Sequence, residues 1–235
     1  MKRFWNQAHA AAAPGGFEVR LDTRPVKLPG GAPLILRSGP LTEAIAAEWD
    51  QAGENFTPED LPLTRLASTA QERIPAHRED IVAQLAAYGL NDLLCYRATS
   101  PTALAARQHE QWTPWLRWAE TELGLTLRVT EGLCPVEQPP GTGPYLIEML
   151  RQQSNAALAA LGVIVPGLGS LVLGLALRHG ALTPDAACAA ALLDELWQEA
   201  HWGQDAQAAA RRRALQTDIA LSATFLALAE AEPAK

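Results

Sequence analysis

The feature that most limits how this chain can fold is the stretch of residues 156–177, which contains no charged side chain and lies between Arg151 and Arg178. Its length would be enough to cross a lipid bilayer as a helix. Pro166 and four glycines interrupt it, however, and a membrane tolerates such residues only where neighbouring spans satisfy the freed backbone groups. The chain offers no second span. We therefore predict two buried core helices, joined by a proline-glycine turn and restarting near Ser170, and no stable membrane insertion.

The N-terminal part of the chain shows the two-residue period of β-strands. Residues 17–21 alternate apolar and polar side chains, the pattern of a strand with one buried face. Two further strand candidates, Val26–Leu28 and Leu34–Leu36, are separated by the turn-forming residues 29–33. This segment is predicted to form a small hairpin or meander closed by its prolines and glycines.

Helical spacing replaces this alternation after Ser38. Leu41, Ile45 and Trp49 recur every four residues behind a serine that can cap the start of a helix. From Pro62 onward helical patterns dominate the sequence. The chain thus changes from β to α structure within its first quarter.

Two short segments interrupt the helical region, at residues 93–97 and 125–130, and we expect them to pair as strands across the helix between them. The last helix is predicted over residues 205–229. The fold class is therefore α+β. A small β-rich N-terminal domain at residues 1–60, ending in a helix, is followed by a larger, mostly α-helical domain at residues 61–235.

The charge of the chain argues against nucleic acid as a partner. Its formal net charge is -7 at pH 7, whereas phosphate backbones require clustered lysine and arginine. The one dense basic cluster, residues 211–213, is predicted to be solvated helix surface. Cys95, Cys134 and Cys188 are too far apart for a zinc site or a disulfide framework, which favours a soluble protein in a reducing, cytoplasmic location.

No local spacing typical of an enzyme active site occurs in the sequence. Phosphate-binding glycine loops, the paired histidines of zinc hydrolases and the Gly-x-Ser-x-Gly elbow are all missing, and the five histidines are scattered singly. We predict no catalytic residue, no metal and no cofactor. The open alternative is a hydrolase whose site assembles from His201, Asp194 and a distant serine or cysteine. A peripheral membrane factor that uses residues 156–177 is a third hypothesis.

The richest local cluster of residues lies between Leu192 and Asp205. One side of the predicted helix is apolar, with Leu192, Leu193, Leu196, Trp197 and Ala200, and the other carries Asp194, Glu195, Gln198 and Glu199. Gly203 suits a left-handed helix cap. The ordinary interpretation is an amphipathic helix. The functional interpretation is an acidic docking surface with Trp202 as its aromatic anchor.

Five short motifs, which follow one another in a fixed order along the chain, carry a resemblance to a known family. They are Leu21-Asp22-x-Arg24-Pro25-Val26-Lys27, Ala46-x-Glu48-Trp49, Pro62-Leu63-Thr64-Arg65-Leu66-Ala67-x-Thr69-Ala70, Asp92-Leu93-Leu94-Cys95-Tyr96-Arg97-Ala98, and Leu193-Asp194-Glu195 leading to Trp202-Gly203. With these motifs the chain resembles the assembly chaperones for the catalytic sector of ATP synthase that hold its alpha subunit. The resemblance spans most of the chain.

The resemblance implies a chaperone without catalysis or cofactor. Its partner would be the free alpha subunit of the F1 sector of ATP synthase, which it would protect from aggregation before assembly. Eukaryotic members of the family are mitochondrial, and a bacterial member is expected in the cytoplasm.

The resemblance also implies where the client binds. In the family an acidic residue a few positions after the Trp-Gly pair is associated with function. Gln207 stands there in this chain and Asp205 is close by, so either Asp205 takes the role or the role is weaker. The residues expected to bind the client are Asp194, Glu195, Gln198, Trp202, Gly203, Asp205 and Gln207.

Overall fold

The computed structural model describes residues 1–132 and 134–231 of the chain. Its strands are β1 (Ala8–Ala13), β2 (Gly16–Leu21), β3 (Arg24–Pro25), β4 (Ile35–Leu36), β5 (Tyr96–Arg97) and β6 (Thr130–Glu131). Its α-helices are α1 (Gly39–Gln51), α2 (Pro62–Ser68), α3 (Ile74–Leu90), α4 (Thr102–Leu123), α5 (Thr142–Arg151), α6 (Asn155–Leu168), α7 (Leu171–Arg178), α8 (Pro184–Ala191), α9 (Leu193–Trp202) and α10 (Ala206–Glu230). A small strand region precedes a mostly helical remainder, so the predicted α+β class is confirmed.

Contacts within the described chain divide it into two units. The first contains residues 1–78, 154–160 and 221–231, and it holds the four-stranded sheet with α1 and α2. The second contains residues 79–153 and 161–220, including β5, β6, α4, α5 and α7 to α9.

Strand β2 is the centre of the sheet in the first unit. It pairs antiparallel with β1, β3 and β4. The alternation predicted for residues 17–21 corresponds to this strand, with Val19 and Leu21 buried. Gly16 begins the strand where a side chain has no room, because a Cβ there would collide with the carbonyl oxygen of Leu36.

Strand β1 has no counterpart among the predicted strands. Its six residues are five alanines and His9, a composition that favours helix. The segment nevertheless pairs along its whole length with β2, from Ala8 opposite Leu21 to Ala13 opposite Gly16. Pairing within the sheet therefore overrides the intrinsic preference of alanine.

The other short strands are less regular than predicted. The predicted strand Val26–Leu28 follows β3 directly and lies outside the regular strands, where Lys27 forms an isolated bridge with Pro33. The segments 93–97 and 125–130 do meet, but only through the two-residue parallel pair β5–β6 at their ends. Leu93–Cys95 forms a 3₁₀ turn instead, since the Asp92 carboxylate accepts a hydrogen bond from the second amide of that turn at 3.0 Å.

The uncharged stretch 156–177 forms helices α6 and α7, which confirms the prediction of two helices. The predicted position of the turn is wrong, because Pro166 lies inside α6 and the chain reverses at Gly169, whose φ of 65° is left-handed. Ser170 then caps α7 by accepting a hydrogen bond from the amide of Leu173 at 3.0 Å. None of the helices in the described ranges has both the length and the apolar character needed to cross a membrane.

The side chain of Glu48 holds the start of α2 in the first unit. Leu61, which precedes this helix, has no side-chain group to cap it. The Glu48 carboxylate accepts hydrogen bonds from the amides of Leu63 (2.7 Å) and Thr64 (3.0 Å) and from the Thr64 hydroxyl (2.6 Å). The indole of Trp49 donates to the same hydroxyl at 2.9 Å. Burial raises the pKa of Glu48, and these hydrogen bonds oppose the shift.

The side chain of Asp92 likewise holds the start of α7 in the second unit. Its carboxylate is fully buried and accepts hydrogen bonds from the amides of Leu94 and Val172, each at 3.0 Å. Desolvation by burial raises the pKa of Asp92 from 3.8 to about 6, although these amides and the Ser170 hydroxyl favour the charged form. One carboxylate thus joins the turn at Leu93–Cys95 to the first turn of α7.

Replacing Glu48 with alanine is expected to lower the free energy of unfolding by about 1–3 kcal/mol, because the amides of Leu63 and Thr64 lose their acceptors. Urea denaturation followed by circular dichroism measures this change. Glu43 is exposed on the same helix and supplies the control, since Glu43→Ala should change stability by less than about 0.5 kcal/mol. Equal losses in the two variants would contradict the role assigned to Glu48.

The raised pKa of Asp92 predicts a pH dependence of stability. Between the unfolded pKa of 3.8 and the folded pKa of about 6, the native state binds the proton more tightly. The free energy of unfolding therefore falls as pH rises through this window, by at most about 3 kcal/mol from this group. Denaturation at a series of pH values from about 4 to 7 measures the slope.

Asp92→Asn is the control for this pH dependence. It should be less stable than the parent at every pH, because Leu94 and Val172 donate to different oxygens of Asp92 and asparagine replaces one of these acceptors with an NH2 donor. It should also lose the part of the slope that Asp92 contributes. An unchanged slope in this variant would show that other groups cause the pH dependence.

Candidate functional site

An open groove of about 480 Å³ lies on the second unit, where the end of α9 meets the beginning of α10. It is lined by Glu195, Gln198, Glu199, Trp202, Gly203, Asp205, Ala208, Arg211 and Arg212. Of the residues predicted to bind a client, it brings together Glu195, Gln198, Trp202, Gly203 and Asp205. The lining includes neither Asp194 nor Gln207.

Helical spacing explains why the α9 residues share this groove. Glu195, Gln198, Glu199 and Trp202 stand at positions i, i+3, i+4 and i+7, which lie on one face of a helix. Trp202 therefore belongs to the same face as the two carboxylates. Its side chain is 79% exposed, the largest exposure among the large apolar residues described.

Arg212 of α10 enters the groove between the two carboxylates of α9. Its guanidinium donates to Glu195 at 2.8 Å and forms a short ion pair with Glu199. The hydrogen bond to Glu195 is the main cause of the raised pKa of Arg212. The prediction of solvated helix surface for residues 211–213 is wrong for Arg212, which is buried, because this residue faces α9 rather than solvent.

Arg211 approaches Glu195 from the other side. Its guanidinium donates to the second carboxylate oxygen of Glu195 at 2.9 Å, so Glu195 is shared between two arginines. Glu195 and Glu199 are thus already paired with cations within the protein. The groove presents ion pairs rather than free carboxylates on this face.

The linker between the helices shapes the end of the groove. Gly203 has φ 95° and ψ 166°, so it has the positive φ expected of a glycine but is extended, not left-handed helical as predicted. Asp205 accepts a hydrogen bond from the amide of Gln207 at 3.0 Å, which caps the start of α10. Asp205 has no salt bridge among the described residues.

Asp194 and Gln207 lie outside this lining. Asp194 accepts a hydrogen bond from the Gln108 side chain of α4 at 2.7 Å, which fixes α9 to that helix. The carbonyl oxygen of the same Gln108 side chain accepts from the amide of Ala98 at 2.7 Å. Gln207 is exposed on the first turn of α10, and its backbone amide is the group that Asp205 caps.

The groups of the hydrolase alternative are engaged elsewhere. Nδ1 of His201 lies 2.7 Å from the carbonyl oxygen of Trp197, one turn earlier in α9, and its ring stacks on that indole. Burial raises the pKa of Cys95 to about 12 and that of Cys188 to about 11, the opposite of what activates a thiol nucleophile. Within the described ranges, no group of three or more His, Cys, Asp or Glu side chains is arranged to hold a metal ion.

Sequence reasoning missed the α10 side of the groove. Ala208, Arg211 and Arg212 were not among the expected client-binding residues, although the basic run itself was visible. The sequence contained one indication of the α10 side. Glu195 and Glu199 are spaced one turn apart on α9, so both can pair with cationic side chains of one neighbouring helix.

Comparisons with known proteins agree on one family. The sequence profile of the ATP12 chaperone protein family matches residues 2–120. Solved structures extend the likeness to nearly the whole chain. Atp12 from Paracoccus denitrificans is 38% identical, with a TM-score of 0.93 over 97% of this chain and 98% of that one.

Two further structures give the same picture. A variant of the P. denitrificans protein, with one aspartate replaced by lysine, is 37% identical, with a TM-score of 0.93 over 97% of this chain and 98% of that one. The Atu1473 protein from Agrobacterium tumefaciens is 35% identical, with a TM-score of 0.88 over 96% of this chain and 84% of that one. The resemblance carried by the five motifs is confirmed, and the chain belongs to the ATP12 chaperone family.

Proposed function

We propose that this protein binds the free alpha subunit of the F1 sector of ATP synthase in the cytoplasm and prevents its aggregation before assembly. Membership of the ATP12 chaperone family supports the chaperone role. The groove between α9 and α10 is the proposed client site. The observation that carries this assignment is the exposed indole of Trp202 at its rim.

The exposed indole of Trp202 offers a large apolar area that another molecule can cover. Indole combines a large apolar area with one N–H donor, and such residues dominate the binding energy of many interfaces. Covering this side chain with a client would contribute roughly 2–4 kcal/mol. Trp202 is therefore the natural anchor of a client segment in the groove.

The rest of the groove suits a partner that is bound and later released. Five of its lining side chains are charged, namely Glu195, Glu199, Asp205, Arg211 and Arg212. Interfaces that form transiently are more polar than permanent ones. A chaperone needs this balance, because it has to cover aggregation-prone client surface and then give it up to the next subunit.

Trp202→Ala is expected to weaken the complex with the alpha subunit at least about tenfold, because the variant loses the anchoring indole. Co-expression with the alpha subunit, followed by size-exclusion chromatography and titration of the purified partners, measures this loss. Thermal melting should be unchanged, since the side chain is 79% exposed.

Phe4→Ala is the matched control for Trp202→Ala. Phe4 is an aromatic residue in the first unit whose side chain is 62% exposed, and its removal should leave the complex intact. If Phe4→Ala abolishes binding and Trp202→Ala does not, the client binds the β-rich unit. If the parent protein forms no complex with the alpha subunit, the proposed function is wrong.

Asp205 has a capping role and a charge that forms no ion pair within the described part of the chain, and two variants separate these two properties. Asp205→Ala should lower the free energy of unfolding by about 1 kcal/mol through loss of the cap. Asp205→Asn should retain the cap and hence the stability, yet weaken alpha-subunit binding several-fold by removing the carboxylate. Binding that is unchanged in Asp205→Asn would leave Asp205 with the capping role alone.

Gln207→Glu completes this comparison. It places a carboxylate on the first turn of α10, at the position where the family's acidic residue is expected. If that position carries the acidic role, the variant should bind the alpha subunit more tightly than the parent protein. Equal affinity, together with a loss in Asp205→Asn, would assign the role to Asp205.

A further inference from the structure

Arg211 and Arg212 both form an ion pair with Glu195, but they differ in their exposure and in the number of carboxylates that they contact. The Arg211 side chain is 73% exposed and has one carboxylate partner, whereas the Arg212 side chain is 10% exposed and lies between Glu195 and Glu199. An exposed ion pair gains little net free energy, because water and salt compete with it. Removing Arg212 would instead leave Glu199 without its cation and Glu195 with Arg211 alone.

Glu195 therefore does not depend on Arg211. If the Arg211 guanidinium turns toward another anion, Glu195 keeps its 2.8 Å contact with Arg212. The Arg211 guanidinium can therefore exchange its partner Glu195 for another hydrogen-bond acceptor. Its planar guanidinium can bind a carboxylate through two parallel hydrogen bonds, which one oxygen of Glu195 does not offer.

We propose, on the basis of the client site assigned above, that Arg211 recognises an aspartate or glutamate side chain of the client, next to an apolar side chain that packs on Trp202. Charge complementarity supports a carboxylate at this point. Glu195 and Glu199 both keep Arg212 as a cationic partner when Arg211 turns away, and Arg211 is the more exposed of the two arginines.

The carboxylate of Asp205, which also lines the groove, does not conflict with a client carboxylate at Arg211. It precedes Arg211 by six residues, which corresponds to about 9 Å along a helix axis. Asp205 at one end of the groove and Arg211 at the other therefore address different side chains of the client. The complementary client segment carries an acidic residue at the Arg211 end and does not place a basic residue there.

Titration of the purified protein with the alpha subunit at two salt concentrations tests the proposal. Arg211→Ala should weaken binding about five- to tenfold, and Arg211→Glu should weaken it further through repulsion of the client carboxylate. Arg211→Lys should recover only part of the affinity, because an ammonium group lacks the paired donors. The difference between parent and Arg211→Ala should shrink at high salt.

Arg213→Ala is the matched control. Arg213 is exposed on the same basic run but does not line the groove, so its loss should leave the affinity unchanged. Equal thermal melting of the parent and Arg211→Ala would establish that folding is intact. If Arg211→Ala binds like the parent while Trp202→Ala does not, the inference about Arg211 is overturned and the groove remains the client site.

Two other results would also overturn the inference. Equal losses in Arg211→Ala and Arg213→Ala would indicate general attraction between the basic run and the client. Parent-like binding by both Trp202→Ala and Arg211→Ala would remove the groove as the client site, and with it this role for Arg211.

Discussion

The first amides of α2 and α7 have no acceptors within their own helices, as at the start of every α-helix. Glu48 and Asp92 supply carboxylates for these amides from earlier parts of the chain. Each carboxylate loses hydration on burial, which its raised pKa reflects, and recovers part of that loss through the amides. The placement of these helices depends on contacts that a single substitution can remove.

Contacts of this kind account for several residues of the family motifs. Glu48 and Thr64 belong to two of the motifs, and their side chains bond to each other. Asp92 and Asp194 belong to two others, and both accept hydrogen bonds that hold helices in place. The matched profile, residues 2–120, also ends before the groove. Several residues that carry the family resemblance therefore build the fold, while Glu195, Trp202 and Gly203 of the last motif line the groove.

The elements that could be predicted are those in which the local sequence pattern favours the same secondary structure as the surrounding fold. Strand β2, helix α1 and the long helix α10 follow from alternation or helical spacing, because each buries one face along its length. Strand β1 could not be predicted, since its alanines favour helix and contacts with β2 and α1, distant from the local pattern, stabilise the extended form. The same applies to Arg212, whose burial depends on a helix that precedes it by ten or more residues and packs beside it.

The candidate site was predicted in part for the same reason. The α9 face could be read from helical spacing, which placed Glu195 and Gln198 on one side of the helix. The groove also requires α10, and no local sequence pattern predicts how α10 packs against α9. Asp194 illustrates the limit, because its side chain meets Gln108, a residue distant in the chain that no local pattern connects to it.

The buried position of Arg212 also bears on how fast a client can be captured. Sliding α10 by one helical turn would place Ala208 or Gln216 opposite Glu195 and Glu199, and neither residue carries a cation to pair with them. Arg212 thus fixes the longitudinal register of the two helices, so the groove proposed as the client site is already formed in the unbound protein. A preformed site spares the encounter any delay for rearrangement, and association can be governed by diffusion and orientation.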